Sequence, residues 1–259
     1  MKKSKPVIFL AAVLFCLSAF PAAAEEITGK ILAQKIFDRD RGRNSAATAQ
    51  MVLISKSGSK RVRTFTNKRF MEDGLERQLI RFTSPADIEG TGFLTIEKEG
   101  WKTEQFLYLP ALRRTRRIVT SQQSQRFVNS DFTYEDMKRH PVDNYTYEIT
   151  GSRKVGNLEC YALEARPKKN TDSQYGLTRS LVSKKCLVPV VVEYFDQKCS
   201  HFKTYKTLQL EKVQGIWTEM TVSMEDFERE HKTFIKVEQI DYNTDIDKDL
   251  VSRKSLADY

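Results

Sequence analysis

Few side chains in this chain stand in arrangements that could do chemistry. The densest group is Asp131-Phe132-Thr133-Tyr134-Glu135-Asp136. Carboxylates this close could share a proton and work as general acid and base. That chemistry also needs a nucleophile, a metal or a phosphate cradle, and none accompanies them. A capped turn is the better reading, with Ser130 or Asp131 as N-cap and Tyr134 and Met137 packed inward. Upstream lie Arg113, Arg114, Arg116 and Arg117. Guanidinium groups so close together repel one another unless anions answer them, and each can hold a carboxylate or phosphate through paired hydrogen bonds. Three answers are open: internal pairing with Asp131, Glu135 and Asp136, an external lipid headgroup or acidic partner, or plain solvation. The histidines, His140, His201 and His231, have no metal-pair spacing, so neither a zinc nor a copper site is expected. No cofactor is expected, and no residue set supports a hydrolase.

The elements that would position these residues follow from composition and period. Lys2, Lys3 and Lys5 precede an apolar run from Pro6 to Phe20 and the small residues Ala22-Ala23-Ala24. This is the pattern of an export leader, with cleavage expected after Ala24 and a mature chain of residues 25–259. Phe15 before Cys16 is too bulky for a lipidation site. No later stretch reaches the ~20 apolar residues of a membrane helix. The chain carries a net charge of +9, and it stays basic without its leader. In an exported protein that favours anionic headgroups or acidic partners over nucleic acid. Of the cysteines that remain, Cys160 and Cys186 fall near one strand pair, so a Cys160–Cys186 disulfide is expected, leaving Cys199 free.

Residues 25–38 read as a helix with Thr28 as N-cap. From Thr48 the period becomes alternating. Short runs rich in β-branched and aromatic residues follow, bounded by Gly, Pro or Asp. They cover residues 48–55, 61–70, 76–83, 92–98 and 105–109. After the central stretch they resume at 144–151, 158–166, 177–183, 188–195, 201–212, 215–224 and 233–240. Residues 242–259 form a polar tail with anchors at Ile246, Leu250 and Leu256. About ten to twelve strands with short connections and no linker make one domain, a barrel, half-barrel or sandwich. Uneven strands with outward lysines and arginines argue against a membrane barrel.

Two central segments, Phe106-Leu-Tyr-Leu-Pro-Ala-Leu-Arg-Arg-Thr-Arg-Arg-Ile118 and Asn129-Ser-Asp-Phe-Thr-Tyr-Glu-Asp-Met137, resemble the signature of the outer-membrane lipoprotein-sorting proteins, relatives of the LolA/LolB periplasmic carriers. Ile88-Glu89-Gly90-Thr91, Gly215-Ile216-Trp217-Thr218, Met224-Glu225-Asp226 and Asp241-Tyr242-Asn243 fit the same pattern. Asn129 stands where glycine is expected, and asparagine tolerates the left-handed backbone such a turn requires. The resemblance implies a mainly β fold with a few helices: a curved antiparallel half-barrel covered by helices or loops. It implies a non-enzymatic periplasmic protein that holds the acyl chains of a lipoprotein or lipid in an apolar cavity and moves them towards the outer membrane. Phe106, Tyr108, Leu109, Leu112, Phe132 and Tyr134 are the expected cargo contacts. Arg113, Arg114, Arg116 and Arg117 are the expected headgroup or partner contacts. The alternative is an accessory protein of an inner-membrane export pump that binds protein and holds no cargo.

Overall fold

The computed structural model describes Met1 and residues 27–258. The expected leader and its cleavage site lie outside the described residues. Helix α1 (Gly29–Phe37) starts where the Thr28 hydroxyl accepts the Ile31 N–H at 3.3 Å, as the capping pattern required. Gly29 is needed for close approach: a Cβ there would sit 2.7 Å from the Tyr147 backbone.

Thirteen strands follow: β1 (Asn44–Ile54), β2 (Lys60–Glu72), β3 (Leu75–Ser84), β4 (Gly92–Lys98), β5 (Lys102–Leu109), β6 (Arg114–Ile118), β7 (Tyr145–Val155), β8 (Leu158–Pro167), β9 (Leu177–Ser183), β10 (Pro189–Phe195), β11 (His201–Val213), β12 (Ile216–Asp226) and β13 (His231–Tyr242). They form one antiparallel sheet in the order β6-β5-β4-β3-β2-β1-β13-β12-β11-β10-β9-β8-β7. The expected count of ten to twelve is therefore too low. The additional strand is β6, whose arginines hide the alternation that marks a strand, since all but Ile118 are exposed. A second correction concerns β7. The strand bulges at Thr150, Gly151 pairs with Ala162, and the strand continues to Val155, where a turn was expected.

The sheet does not close, and β6 and β7 are its two edges. Residues 119–144 run from one edge to the other as a strap. The strap also reports the curvature. Phe127 lies with its ring 4.9 Å from that of Phe93 on β4, and Phe132 lies 6.5 Å from Tyr205 on β11. Those strands are six steps apart in the order, roughly 29 Å if the sheet were flat. Yet the Phe127 N–H donates to the Phe132 carbonyl at 2.8 Å. The sheet must curl around the strap.

The inner face of β1–β5, with Met51, Leu53, Phe65, Phe82, Phe93 and Leu107, packs on Phe127, Phe132 and Tyr134 of the strap. The outer face of β3–β5 is covered by the tail, which ends in helix α2 (Arg253–Ala257). There Leu79, Leu94, Ile96 and Phe106 meet Ile246, Val251 and Leu256. Of the expected tail anchors, Ile246 and Leu256 are buried, whereas Leu250 is exposed and Val251 takes its place.

Polar ties fix the strap. The Asp131 carboxylate, fully buried, accepts from Thr233 Oγ1 at 2.6 Å, His231 Nδ1 at 2.7 Å and Arg229 at 3.0 Å. Arg63 donates to the Val128 carbonyl, and Gln105 to that of Tyr134 at 2.8 Å. Asn129 has φ +62°, the left-handed geometry its glycine-like position called for. Ser130 does not cap a helix; its hydroxyl donates to the Phe127 carbonyl at 2.7 Å. Tyr134 and Met137 pack inward as expected.

Candidate functional site

On the other side of the strap the inner face is not filled. Alternate residues of β8, β9 and β10 point inward from period-2 strands: Leu163 and Ala165, then Thr178, Ser180 and Val182, then Val192 and Tyr194. Helix α1 faces them with Ala33, Ile36 and Phe37, and the strap adds Phe132 and Val142. Small side chains on facing elements leave a cavity of about 460 Å³, open on one side. That lies within the roughly 300–1,000 Å³ of small-molecule sites. Leu32, Leu163 and Val182 seal the helix to the sheet at one end.

The walls are apolar but not featureless. Tyr145, Tyr147, Tyr175, Tyr194 and Tyr205 line them. At one wall Asp136 meets Lys203 at 2.6 Å, both side chains almost wholly buried. Burial alone would raise the Asp136 carboxyl; Lys203 and the hydrogen bonds from Tyr175 and Thr133 outweigh it and hold the group below its ordinary value. The Lys203 ammonium also sits 4.9 Å and 4.8 Å from the ring centres of Tyr175 and Tyr194. Burial pushes the Tyr194 hydroxyl well up and that of Tyr147 to about 12. Among the described residues neither hydroxyl has a hydrogen-bond partner.

Basic groups gather where α1 meets the strap. Arg39 pairs with Glu219 at 3.2 Å, and Glu219 also accepts from Tyr205 at 2.6 Å. Arg41 pairs with Glu76 at 3.1 Å. Arg139 pairs with Glu97 at 3.1 Å and lies 3.9 Å from the centre of the Phe37 ring. His140 shares a hydrogen bond with the Tyr145 hydroxyl at 3.1 Å, and burial followed by the Lys138 charge keeps it below its ordinary value.

Of the six expected cargo contacts, only Phe132 lines this cavity. Phe106 faces the opposite side of the sheet, beneath the tail and under the Arg253 guanidinium, and Tyr108 packs beside it. Leu109 and Tyr134 belong to the filled inner core, and Leu112 is exposed. Internal pairing of the arginine cluster with Asp131, Glu135 and Asp136 does not form. Those carboxylates are taken by Arg229 and His231, by Ser173 and Gln174, and by Lys203 and Tyr175. Arg113, Arg114, Arg116 and Arg117 are all exposed on or beside edge strand β6, and among the described residues only Arg117 has an ion-pair partner, Glu104 at 3.1 Å. Cys160, Cys186 and Cys199 are free thiols, so the expected Cys160–Cys186 bond is absent from this structure. Cys160 lies directly opposite Ser183 on β9, while Cys186 sits three residues further on, in the turn to β10.

The tyrosines, Lys203 and Glu219 escaped sequence reasoning. The alternation of Tyr145 and Tyr147 on β7 was a usable signal; nothing local marks Lys203 as buried.

An open, curled antiparallel sheet with a helix over an apolar hollow defines a carrier-type fold. A family model described only as an uncharacterized protein matches residues 74–258, and the chain belongs to that family. Among solved structures, a DUF1329 family protein from Desulfovibrio piger is 29% identical with a TM-score of 0.83, covering 88% of this chain and 97% of its own. A Vibrio parahaemolyticus protein described as an outer membrane lipoprotein-sorting protein domain is 26% identical with a TM-score of 0.83, covering 88% and 98%. A LolA superfamily protein from Nitrosomonas europaea shares the fold at 13% identity and a TM-score of 0.69, covering 88% and 99%. No curated protein sequence matches.

Proposed function

We propose that this protein is a non-enzymatic periplasmic carrier that takes the acyl chains of a lipid or lipoprotein into the cavity beneath α1 and hands them on towards the outer membrane. The observation that carries this reading is the cavity itself: about 460 Å³, walled by Phe37, Phe132, Leu163, Val182 and Met224, and roofed by a helix of nine residues. Each CH₂ buried contributes about 0.8 kcal/mol, so ten carbons supply about 8 kcal/mol before the costs of ordering. In this reading the short helix, packed on the sheet through Leu32 and its neighbours, is the roof that moves to admit the cargo. Delipidated protein titrated with the neutral fluorophore N-phenyl-1-naphthylamine should bind it and release it to acyl ligands. Mass spectrometry of the purified protein should find bound lipid. Failure to bind any acyl ligand would remove the reading's support.

A second reading, as an accessory of an inner-membrane export pump or a docking module for an outer-membrane acceptor, rests on a different observation. Edge strand β6 has an open ladder flanked by Arg113, Arg114 and Arg116, none with an internal anion among the described residues. Reversing Arg113, Arg114, Arg116 and Arg117 to Glu separates the two readings. Loss of partner capture with fluorophore binding intact favours the docking role.

A further inference from the structure

Four cations line the cavity, and they are not equivalent. Arg39, Arg41 and Arg139 each have a carboxylate partner: Glu219, Glu76 (which Arg69 shares) and Glu97. Lys138 does not. Its ammonium donates to the neutral Gln123 Oε1 at 2.6 Å and makes no ion pair among the described residues. The carboxylates whose charge it feels are Glu135 and Asp172, both beyond ion-pair distance. Glu135 is already engaged by Ser173 Oγ at 2.5 Å and the Gln174 N–H at 3.0 Å. Desolvation holds Lys138 below its ordinary value, so the site charges this ammonium at a cost that the more distant Glu135 and Asp172 offset only in part.

A half-buried ammonium has three donors and only one is used here. It stands on the wall of an otherwise apolar hollow, two residues from the Asp136 carboxylate that Lys203 and Tyr175 already satisfy. We infer that Lys138 receives the anionic head group, carboxylate or phosphate, of an amphiphile whose chain lies along Phe37, Phe132 and Met224. This rests on the carrier reading and narrows it. The ester- and amide-linked chains of a lipoprotein anchor carry no anion at that point, whereas a free fatty acid or a phospholipid does.

The test compares ligands that share a chain and differ in charge. Displacement of N-phenyl-1-naphthylamine from delipidated full-length mature protein is measured with oleate against oleyl alcohol, and with 1-oleoyl-lysophosphatidate against monoolein. At least one charged member should bind about tenfold more tightly than its neutral twin. Preference in the first pair alone identifies a carboxylate, and in the second alone a phosphate. Lys138→Gln should abolish the preference while oleyl alcohol and monoolein bind within twofold of wild type; Lys138→Arg should keep it. Equal affinity within both pairs, or full preference retained in Lys138→Gln, overturns the inference and leaves the carrier reading standing. If no ligand of any charge binds, the carrier reading falls and takes the inference with it. Should Lys138→Gln fail to fold, the wild-type pairs and Lys138→Arg still decide.

Discussion

The two halves of the sheet, β1–β6 and β7–β13, are both antiparallel meanders, yet the first encloses a solid interior and the second a hollow one lined by β7–β12. The difference lies in the volume of the side chains at matched inward positions. On β3 and β4 these are Phe82 and Phe93, which meet Phe127 of the strap with ring centres 6.0 Å and 4.9 Å apart. On β8 and β9 they are Ala165, Thr178 and Ser180, opposed by Ala33 of α1. The solid half is also backed on its outer face by the C-terminal tail. One half is thus a frame, and the other keeps space for something that is not its own side chain.

The largest effect should come from emptying the solid half. Phe127→Ala removes a fully buried ring and should cost about 3–5 kcal/mol in urea denaturation. Cutting the ionic tie between the strap and β11 comes next. Lys203→Met leaves Asp136 buried without its cation and should cost about 3 kcal/mol, much of it recovered in the double variant Lys203→Met/Asp136→Leu. A matched pair of insertions contrasts the regions directly. Thr95→Phe, beside Phe93 on the inner face, overpacks a filled site and should cost about 1–3 kcal/mol. Ser180→Phe enters free volume, so stability should change by less than about 1 kcal/mol while fluorophore binding is lost. The smallest effect is one of pH. His140 titrates near 6.5 when unfolded and lower when folded, so its contribution is complete above pH 6.5 and declines as pH falls through that value. The slope of stability between pH 7 and 5 should be shallower in His140→Asn.

Much of the frame was legible in the sequence. Twelve of the thirteen strands are marked by alternation or by β-branched and aromatic runs between turn residues, Thr28 by its capping chemistry and Asn129 by its tolerance of positive φ. Strand β6 is not, because a row of exposed arginines has no apolar period. The side of the sheet that Phe106 faces was hidden for a related reason. In a run such as Phe106-Leu107-Tyr108-Leu109 every residue is apolar, so the period gives a strand but no inner face. The cavity was the least legible part. Its walls come from one helix, the strap and six strands, and its central ion pair joins residues 67 positions apart. Lys203, between Phe202 and Thr204, reads as any solvated lysine until the fold buries it.

The order of the strands has a consequence for assembly. Every neighbouring pair is a consecutive hairpin except β1 with β13, which joins residues 44–54 to residues 232–242. Each meander can zip by short loops at small entropic cost, and a single long closure then brings them together. Variants that weaken the β1–β13 seam should therefore slow refolding far more than variants at either rim, where the ladder simply ends.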